Sequence, residues 1–461
     1  MKIFILFYMI KIYFFLNKNT NKFNNIKYLE YSFKRNLTTN DSLTPEDFFE
    51  IYFYNQIYIN ITVGSNKSII PFWYPFVIES SNVSESQVKG LYNKMKSKTY
   101  KLISAENTFI LGDLSKADLS EDYLYFNNNI NSSIKFYLAK ENIEYSHITE
   151  GGKIGFKPFQ TYSEEETTSF IENLKNNKII SSKIVSFRYD SDKIDEDSGK
   201  LYIGELPHNI NPIKFSENDY IGIPAQYNYF FNHFDWMYKF REIKVGGTII
   251  EKEREAYFYS ELGFIIGNSL FFNYLKNLDI WNEYLYKNKK CHEYEFNIND
   301  FENNDYNRRF SSKLIGYYCD KDVDIEKLNL GNISFITITN QYSFDFNIKE
   351  LWMIKNEYKY FMIIKNEDLE DLWYFGKPFF KKYQMVFEYD KKQIGLYTKM
   401  SEDNNQNENV NKSNIIYILI IVGLVIIIIG LGFLLIKCYF YLPRKKRANE
   451  LNDDEYDYNK S

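Results

Sequence analysis

The stretch from Leu372 to Leu396 constrains the fold more than any other part of the sequence. An apolar run ends at Gly376, and a short helical turn follows. Over the next six residues Met385, Phe387 and Tyr389 alternate with Gln384, Val386 and Glu388. A charged turn then leads into Ile394-Gly395-Leu396. Alternation with period two is typical of a β-strand, because successive side chains point to opposite faces. The stretch therefore predicts a buried strand, a turn and a closing hairpin.

The rest of the chain repeats this pattern of short strands with few helices. Isoleucines alternate with polar or aromatic residues over 57–61, which predicts a strand with one buried face, and the turn over 63–67 leads to a strand over 69–78. Ser169 and Glu172 have the spacing of a helix capping box before a short apolar stripe. Further strands are predicted over 184–189 and 201–204. We therefore expect an all-β protein with short helices.

These segments resemble, in order and spacing, the pepsin-like aspartic proteases of peptidase family A1. The closing segment is similar to that family's apolar-apolar-Gly strand, aromatic turn and V-F-D…G-L hairpin, and Leu201-Tyr202-Ile203-Gly204 is similar to its L-x-F-G-G strand. The resemblance covers residues 50–397. It implies a bilobal pepsin-like fold, with the first lobe over about 50–207 and the second over about 208–397.

The resemblance also locates the positions where this family carries its functional residues. The frame that reads F-D-T-G-S-S-N in the family is Phe76 to Asn82 here, and A-I-V-D-T-G-T-S corresponds to the segment that begins at Ala256. Both catalytic aspartates are replaced, and so are the threonines behind them and the flap tyrosine. In this chain the five positions read Val77, Tyr259, Ile78, Ser260 and Leu111, whereas the flap glycine is kept as Gly112.

These replacements bear directly on chemistry. Aspartic proteases use two carboxyl groups that share one proton and activate a water between them. Valine has neither proton nor charge, and tyrosine, with a pKa near 10, is a poor substitute for a carboxylic acid. We therefore expect a pepsin fold without peptidase activity. Asp197-Ser198-Gly199 has the letters of a catalytic loop but follows a charged stretch, which indicates a solvated hairpin turn.

An alternative interpretation is that the chain is an active peptidase with a different pair of acidic residues. Glu79 and Glu261 each lie two residues after a lost aspartate, at equivalent places in the two loops. If both loops shifted by two residues, these carboxyl groups would face the cleft as an acidic pair. The chain would then be a membrane-anchored aspartic-type endopeptidase.

The two ends of the chain predict membrane targeting. Residues 1–18 fit a signal peptide, and residues 19–49 are interpreted as an N-terminal extension or propeptide remnant. After a polar linker over 398–414, residues 415–436 form 22 positions without a charge, enough to cross a bilayer as a helix. The basic residues that follow place the tail, 437–461, in the cytosol. We expect a single-pass type I membrane protein whose two lobes lie on the lumenal or extracellular side.

Cysteine and asparagine positions fit that topology. Cys291 and Cys319 lie on the oxidising side and are expected to form a disulfide, and the family carries its second-lobe disulfide in this region. Cys438, at the cytosolic membrane face, is a palmitoylation candidate or a plain interfacial thiol. Eight Asn-x-Ser/Thr sequons are glycosylation candidates: Asn36, Asn40, Asn60, Asn66, Asn82, Asn131, Asn332 and Asn411.

Composition narrows the partners. The net charge of -5 comes without a basic block in the body of the chain, so no nucleic-acid partner is expected. No phosphate-binding loop and no pair of residues at metal-ligand spacing stands out, so we expect neither cofactor nor metal. The prediction is a monomeric, membrane-anchored, inactive pepsin-like protein that binds a peptide or protein in its cleft.

Overall fold

The computed structural model describes most of the chain between residues 28 and 398. The described residues are 28–35, 43–53, 57–73, 82–84, 92–111, 113–126, 131–139, 152–154, 169–191, 193–228, 233–296, 313–328, 330–339, 341–367 and 372–398. The chain divides into two compact units, residues 1–399 and residues 400–461, and every described residue lies in the first unit.

The fold is mainly β, as the sequence predicts. The strands are β1 (Leu29–Arg35), β2 (Ile57–Val63), β3 (Ser68–Trp73), β4 (Asn82–Ser84), β5 (Lys101–Leu111), β6 (Asp113–Tyr125), β7 (Asn131–Ala139), β8 (Gly152–Lys153), β9 (Ile184–Tyr189), β10 (Ser198–Ile203), β11 (Tyr220–Pro224), β12 (Tyr227–Asn228), β13 (His233–Phe234), β14 (Met237–Val245), β15 (Thr248–Phe258), β16 (Ile265–Gly267), β17 (Cys291–Phe296), β18 (Leu314–Asp320), β19 (Asn332–Thr337), β20 (Ser343–Asn347), β21 (Trp352–Lys355), β22 (Tyr358–Phe361), β23 (Ile363–Asn366), β24 (Leu372–Phe375), β25 (Val386–Glu388) and β26 (Gln393–Tyr397).

Helices in the described part of the chain are short. They are α1 (Pro45–Phe53), α2 (Phe170–Asn176), α3 (Pro207–Ile210), α4 (Ser269–Lys276), α5 (Asp279–Asn282) and α6 (Lys377–Tyr383), with a π-helical turn over Glu283–Lys287 and 3-10 turns over Lys94–Lys96, Glu217–Asp219, Ile325–Leu328 and Ile348–Leu351. In α2 the Ser169 side chain accepts the backbone N–H of Glu172, as the capping-box spacing predicts, and Phe170, Ile171 and Leu174 are buried.

One sheet connects the beginning, the middle and the end of the described chain. Its strands follow the order β11-β26-β25-β9-β10-β1 before it continues through β2 into the first-lobe strands. The closing hairpin is formed by β25 and β26, and β25 pairs with β9 so that Phe387 lies opposite Val185. The last strands of the chain therefore hydrogen-bond to first-lobe strands, so the boundary near 207/208 does not divide this sheet.

The closing hairpin is buried on both faces. Phe387 belongs to the main hydrophobic core, whereas Val386 packs with Ile184, Phe215 and Tyr397 in a separate small cluster. Gln384 and Glu388, which alternate with the apolar residues, are also buried. An alternating sequence thus fills a two-sided environment because this hairpin lies inside a sheet that is covered on both sides.

Part of the predicted N-terminal extension is built into the fold. Strand β1 pairs with β10 over six residues, so that Leu29 lies opposite Ile203. Helix α1 begins with a reciprocal cap in which Thr44 and Asp47 each accept the other's backbone N–H. Its residues Phe48, Phe49, Tyr52 and Phe53 are buried. Strand β1 and the first half of α1, which belong to the 19–49 segment, therefore pack as part of the domain.

The second lobe is organised by an eleven-stranded sheet and a disulfide. The strand order is β20-β19-β14-β15-β24-β16-β23-β18-β22-β21, and β17 pairs with β18. Cys291 and Cys319 lie opposite each other in the β17–β18 pair and form the predicted disulfide. No helix within the described ranges is long and apolar enough to cross a membrane. The predicted span, 415–436, lies outside those ranges.

Candidate functional site

The second-lobe loop that carries Tyr259 lies between two strands of one sheet. Strand β15 runs directly into Tyr259, and β24 pairs with β15 in parallel so that Phe258 lies beside Phe375. The chain returns through β16, which pairs with β24 at Ile266 and Tyr374. The backbone N–H of Tyr259 donates to the carbonyl of Phe375 at 2.9 Å. The loop is thus held in place by β24, the strand that immediately precedes Gly376 of the closing segment.

Gly376 allows the two segments to touch. A Cβ at this position would lie 2.3 Å from the carbonyl oxygen of Phe264 and 2.4 Å from that of Leu262. These are backbone atoms, which cannot move aside as the end of a flexible side chain can. The next residue, Lys377, donates its backbone N–H to the Leu262 carbonyl at 2.8 Å. Glycine is therefore required by close approach of backbone to backbone.

Tyrosine rings lie around Tyr259, the position at which the resemblance expects the family's second aspartate. Tyr259 is buried, and its ring centroid lies 5.5 Å from that of Tyr374 and 5.8 Å from that of Tyr257. Tyr257 and Tyr374 stack at 5.5 Å, and both are buried. Ser260, at the position of a bracing threonine, is also buried, whereas Glu261 is half-buried. Among the described residues of this loop, aromatic rings fill the space around the family's acid position.

Helix α1 packs against the same loop. Its last residue, Phe53, accepts the backbone N–H of Gly263 at 2.7 Å. A Cβ on Gly263 would lie 1.8 Å from the Tyr52 carbonyl oxygen, so glycine is required here as well. Phe48 stacks on Tyr360 with ring centroids 3.6 Å apart, and Phe49 packs on Phe264 at 5.9 Å. The N-terminal helix therefore contacts and supports the second-lobe loop, as the closing segment does.

Two buried lysines attach α6 to the turn before β10. Lys377 is fully buried and forms an ion pair with Asp197. Lys381, also buried, donates to the carbonyls of Lys193 and Glu196 and lies 5.4 Å from the Tyr189 ring centroid. The charged stretch before Asp197 forms the predicted hairpin turn between β9 and β10, and Lys193, Asp195 and Glu196 in it are exposed. Asp197, at its end, differs, because its side chain is only 10% exposed and is paired with a buried ammonium.

The first-lobe half of the site is described only in part. Strand β5 runs to Leu111, the flap position, and β6 returns from Asp113, so that these two residues pair across Gly112. The remaining first-lobe candidates Val77, Ile78 and Glu79 lie outside the described residues, as do Gly112, Cys438 and the sequons Asn36, Asn40 and Asn411. The distance between Glu79 and Glu261, on which the acidic pair depends, therefore stays untested.

Four of the predicted glycosylation sites have described side chains. Asn60 lies on β2, Asn66 in the turn after it, Asn131 at the start of β7 and Asn332 at the start of β19, and all four are exposed. Asn82 begins β4. Exposure is what a sugar-bearing asparagine requires, since the glycan is bulky and hydrophilic.

The comparison with known protein families agrees with this geometry. The family model described as eukaryotic aspartyl protease matches residues 63–399, which is most of the chain. The chain belongs to this family. A search of curated proteins gives no significant match. As a eukaryotic aspartyl protease homologue, the chain keeps the second-lobe strands and the closing glycine but has Tyr259 where the resemblance expects an aspartate.

Sequence reasoning did not find two buried lysines and one helix that support this site. Lys377 and Lys381 lie in a basic, aromatic helix, and nothing in that pattern distinguishes buried lysines from solvated ones. Helix α1 did have a signal, since Thr44-Pro45-Glu46-Asp47 combines a capping residue, proline in the first turn and acidic residues there. Among the described residues, no group of three or more His, Cys, Asp or Glu side chains is arranged to hold a metal ion.

Proposed function

We propose that this chain is a catalytically inactive member of the aspartyl protease family that binds an extended peptide or protein segment in the cleft between its lobes. The proposal is supported by the second-lobe loop, where Tyr259 is buried and stands at the position at which the resemblance expects an acid. The dyad mechanism requires a carboxyl group from each lobe. In the unshifted register the loss of the second-lobe acid is therefore sufficient to remove it, whatever the first lobe provides.

The retained framework supports a binding role. Gly376 allows the close backbone contact that positions the loop, and β5 and β6 form the hairpin that ends at Leu111 and Asp113. An extended peptide can pair with such a hairpin through main-chain hydrogen bonds, while side-chain pockets give specificity. Apolar side chains at Val77 and Leu111 would give the cleft an apolar wall.

The experiment for inactivity uses the full chain purified in detergent micelles. We expect no cleavage of an acid-denatured globin at about pH 4, where a dyad would be half ionised, and no retention on immobilised pepstatin. The variant Tyr259→Asp alone should stay inactive, since one acid is not a dyad. Cleavage by the unmodified chain that disappears in both Glu79→Gln and Glu261→Gln would favour the endopeptidase alternative and overturn the proposal.

A separate experiment tests binding. The full chain is screened against an array of extended decapeptides, and the affinity for the best peptide is then measured for Leu111→Asp and Leu102→Asp. Leu102 lies on the same strand, is 48% exposed, and is far in sequence from the flap turn, so it is a matched control. Burying one leucine is worth roughly 1.5–3 kcal/mol, so Leu111→Asp should weaken binding at least about tenfold. Equal affinities for both variants would contradict the cleft as the binding site.

We also propose that the chain is a single-pass type I membrane protein with its lobes on the lumenal or cell-surface side. The support is the uncharged stretch 415–436 with its basic flank, the Cys291–Cys319 disulfide, and the exposed sequons. Full-length protein from eukaryotic cells should migrate faster after endoglycosidase treatment, and Asn332→Gln should remove one step. An unchanged migration would contradict this orientation.

A further inference from the structure

A buried carboxyl group lies inside the second lobe, apart from the cleft residues. Glu251 is on β15, eight residues before Tyr259, and pairs across the strands with Ile243 of β14. Its side chain has no exposed surface. A carboxylate in such a position is costly unless several donors compensate its charge.

Only one of the two carboxyl oxygens of Glu251 accepts hydrogen bonds from the described residues. Oε2 accepts hydrogen bonds from Asn268 Nδ2 at 2.6 Å, Arg254 Nε at 3.0 Å and, at the limit of bonding distance, Trp373 Nε1 at 3.5 Å. Oε1 is buried and has no hydrogen-bond partner in the described part of the chain. Among these neighbours only Arg254 is charged, and its side chain is 22% exposed.

This asymmetry suits a neutral acid with its proton on Oε1. Protonation there would leave Oε2 free to accept the same three donors, while the charge that burial penalises would disappear. Burial raises the pKa of Glu251, and the hydrogen bonds from Asn268 and Trp373 together with the Arg254 charge oppose that rise only in part.

We infer that Glu251 is a proton-uptake site through which the second lobe gains stability in mildly acidic surroundings. The proton would be held between the two strands that form the candidate site, since β15 ends just before Tyr259 and Trp373 lies on β24, three residues before Gly376. The inference concerns stability and does not depend on whether the cleft binds a peptide.

The sign follows from proton linkage. A group whose pKa is higher in the folded than in the unfolded chain binds more protons when folded, so its stabilising effect is complete at low pH and is lost as pH rises through the folded value. The melting temperature of the full chain in detergent should therefore rise as the pH is lowered from neutral towards the usual range of a glutamate carboxyl group. Glu251→Gln, which resembles the neutral acid, should lose most of that rise.

The control is Glu253→Gln, because Glu253 lies on the same strand, is 73% exposed and pairs only with Lys239 in the described part of the chain. It should keep the wild-type rise. If Glu251→Gln fails to fold, Arg254→Gln serves instead: removing the positive charge favours the neutral acid further, so the rise on acidification should become larger than in the wild type. An unchanged rise in Glu251→Gln, or in Arg254→Gln where that variant is used, would overturn the inference.

Discussion

The closing segment and the Tyr259 loop touch each other, yet they differ in how much of the family pattern they keep. The closing segment keeps the apolar strand before Gly376 and the hairpin that ends in Gly395-Leu396. The loop has an aromatic ring where the resemblance expects an acid. A Cβ at position 376 would lie 2.3 to 2.4 Å from two backbone oxygens, so glycine is required there. The ring of Tyr259, by contrast, packs among other rings. Close packing therefore requires glycine at 376, and the proposed loss of catalysis would leave position 259 to packing alone.

The largest effect is expected from the ion pair that holds the closing segment. Lys377→Met leaves the Asp197 carboxylate nearly buried beside an apolar side chain, which should cost about 4 kcal/mol in the free energy of unfolding. Chemical denaturation measures this. Lys382→Met, on the same helix, breaks a more exposed pair with Glu350 and should cost less than about 1 kcal/mol.

A double variant distinguishes lost charge pairing from lost packing. Lys377→Met combined with Asp197→Asn removes both charges, so most of the lost stability should return. If the double variant is as unstable as the sum of the two single changes, the contact acts through packing alone. The closing segment would then be held in place by packing and not by the charges of Lys377 and Asp197.

A smaller effect is expected at the contact between the two regions. Gly376→Ala places a Cβ against two backbone oxygens, and overpacking of this kind should cost about 3 kcal/mol. Gly247→Ala meets no atom within 4 Å but has a φ of +85°, so strain alone should cost about 1 kcal/mol. Equal losses for the two alanine variants would break the argument that close approach preserves Gly376.

The smallest effect concerns pH and the sheet that both lobes share. Burial lowers the pKa of His208, whose Nδ1 lies 2.7 Å from the Tyr397 hydroxyl on β26. The charges of Glu217, Glu205 and Glu388 oppose this shift in part, and the charge of Lys391 adds to it. A folded pKa below the unfolded value means that the folded chain binds fewer protons, so stability should fall as pH drops below about 6.5.

His208→Gln should remove this loss, which a melting curve at each pH would detect. The effect has the opposite sign to that expected for Glu251, so the two variants separate the contributions within one pH profile. A wild-type loss that is unchanged in His208→Gln would place the sensitive group elsewhere.

The sequence predicted the parts of the fold that local patterns determine. Alternation predicted β2, the spacing of Ser169 and Glu172 predicted the start of α2, and the closing stretch predicted β24, α6 and the hairpin. Long-range pairing was not predictable from periodicity. Nothing local indicates that Leu29 pairs with Ile203, or that Lys377 is buried against Asp197, because those contacts join residues about 170 to 180 positions apart.

The site was predictable to the extent that a family resemblance locates positions. Tyr259, Ser260 and the Cys291–Cys319 disulfide follow from it, and the structure shows their surroundings. The three-tyrosine packing and the buried Glu251 do not follow, because they depend on which strands become neighbours. Helix α1 was within reach of the sequence, since its cap and its aromatic face are local features.

The order of strands in the shared sheet has a consequence for biosynthesis. β9 forms one of its two pairings only with β25, which the ribosome makes about 200 residues later. Until β25 and β26 emerge, the early part of the sheet presents an unpaired edge, and such edges are prone to aggregate. Folding of this chain therefore has to finish late in translation. Chains truncated just before Val386 should depend on chaperones, although they contain all the strands from β1 to β24.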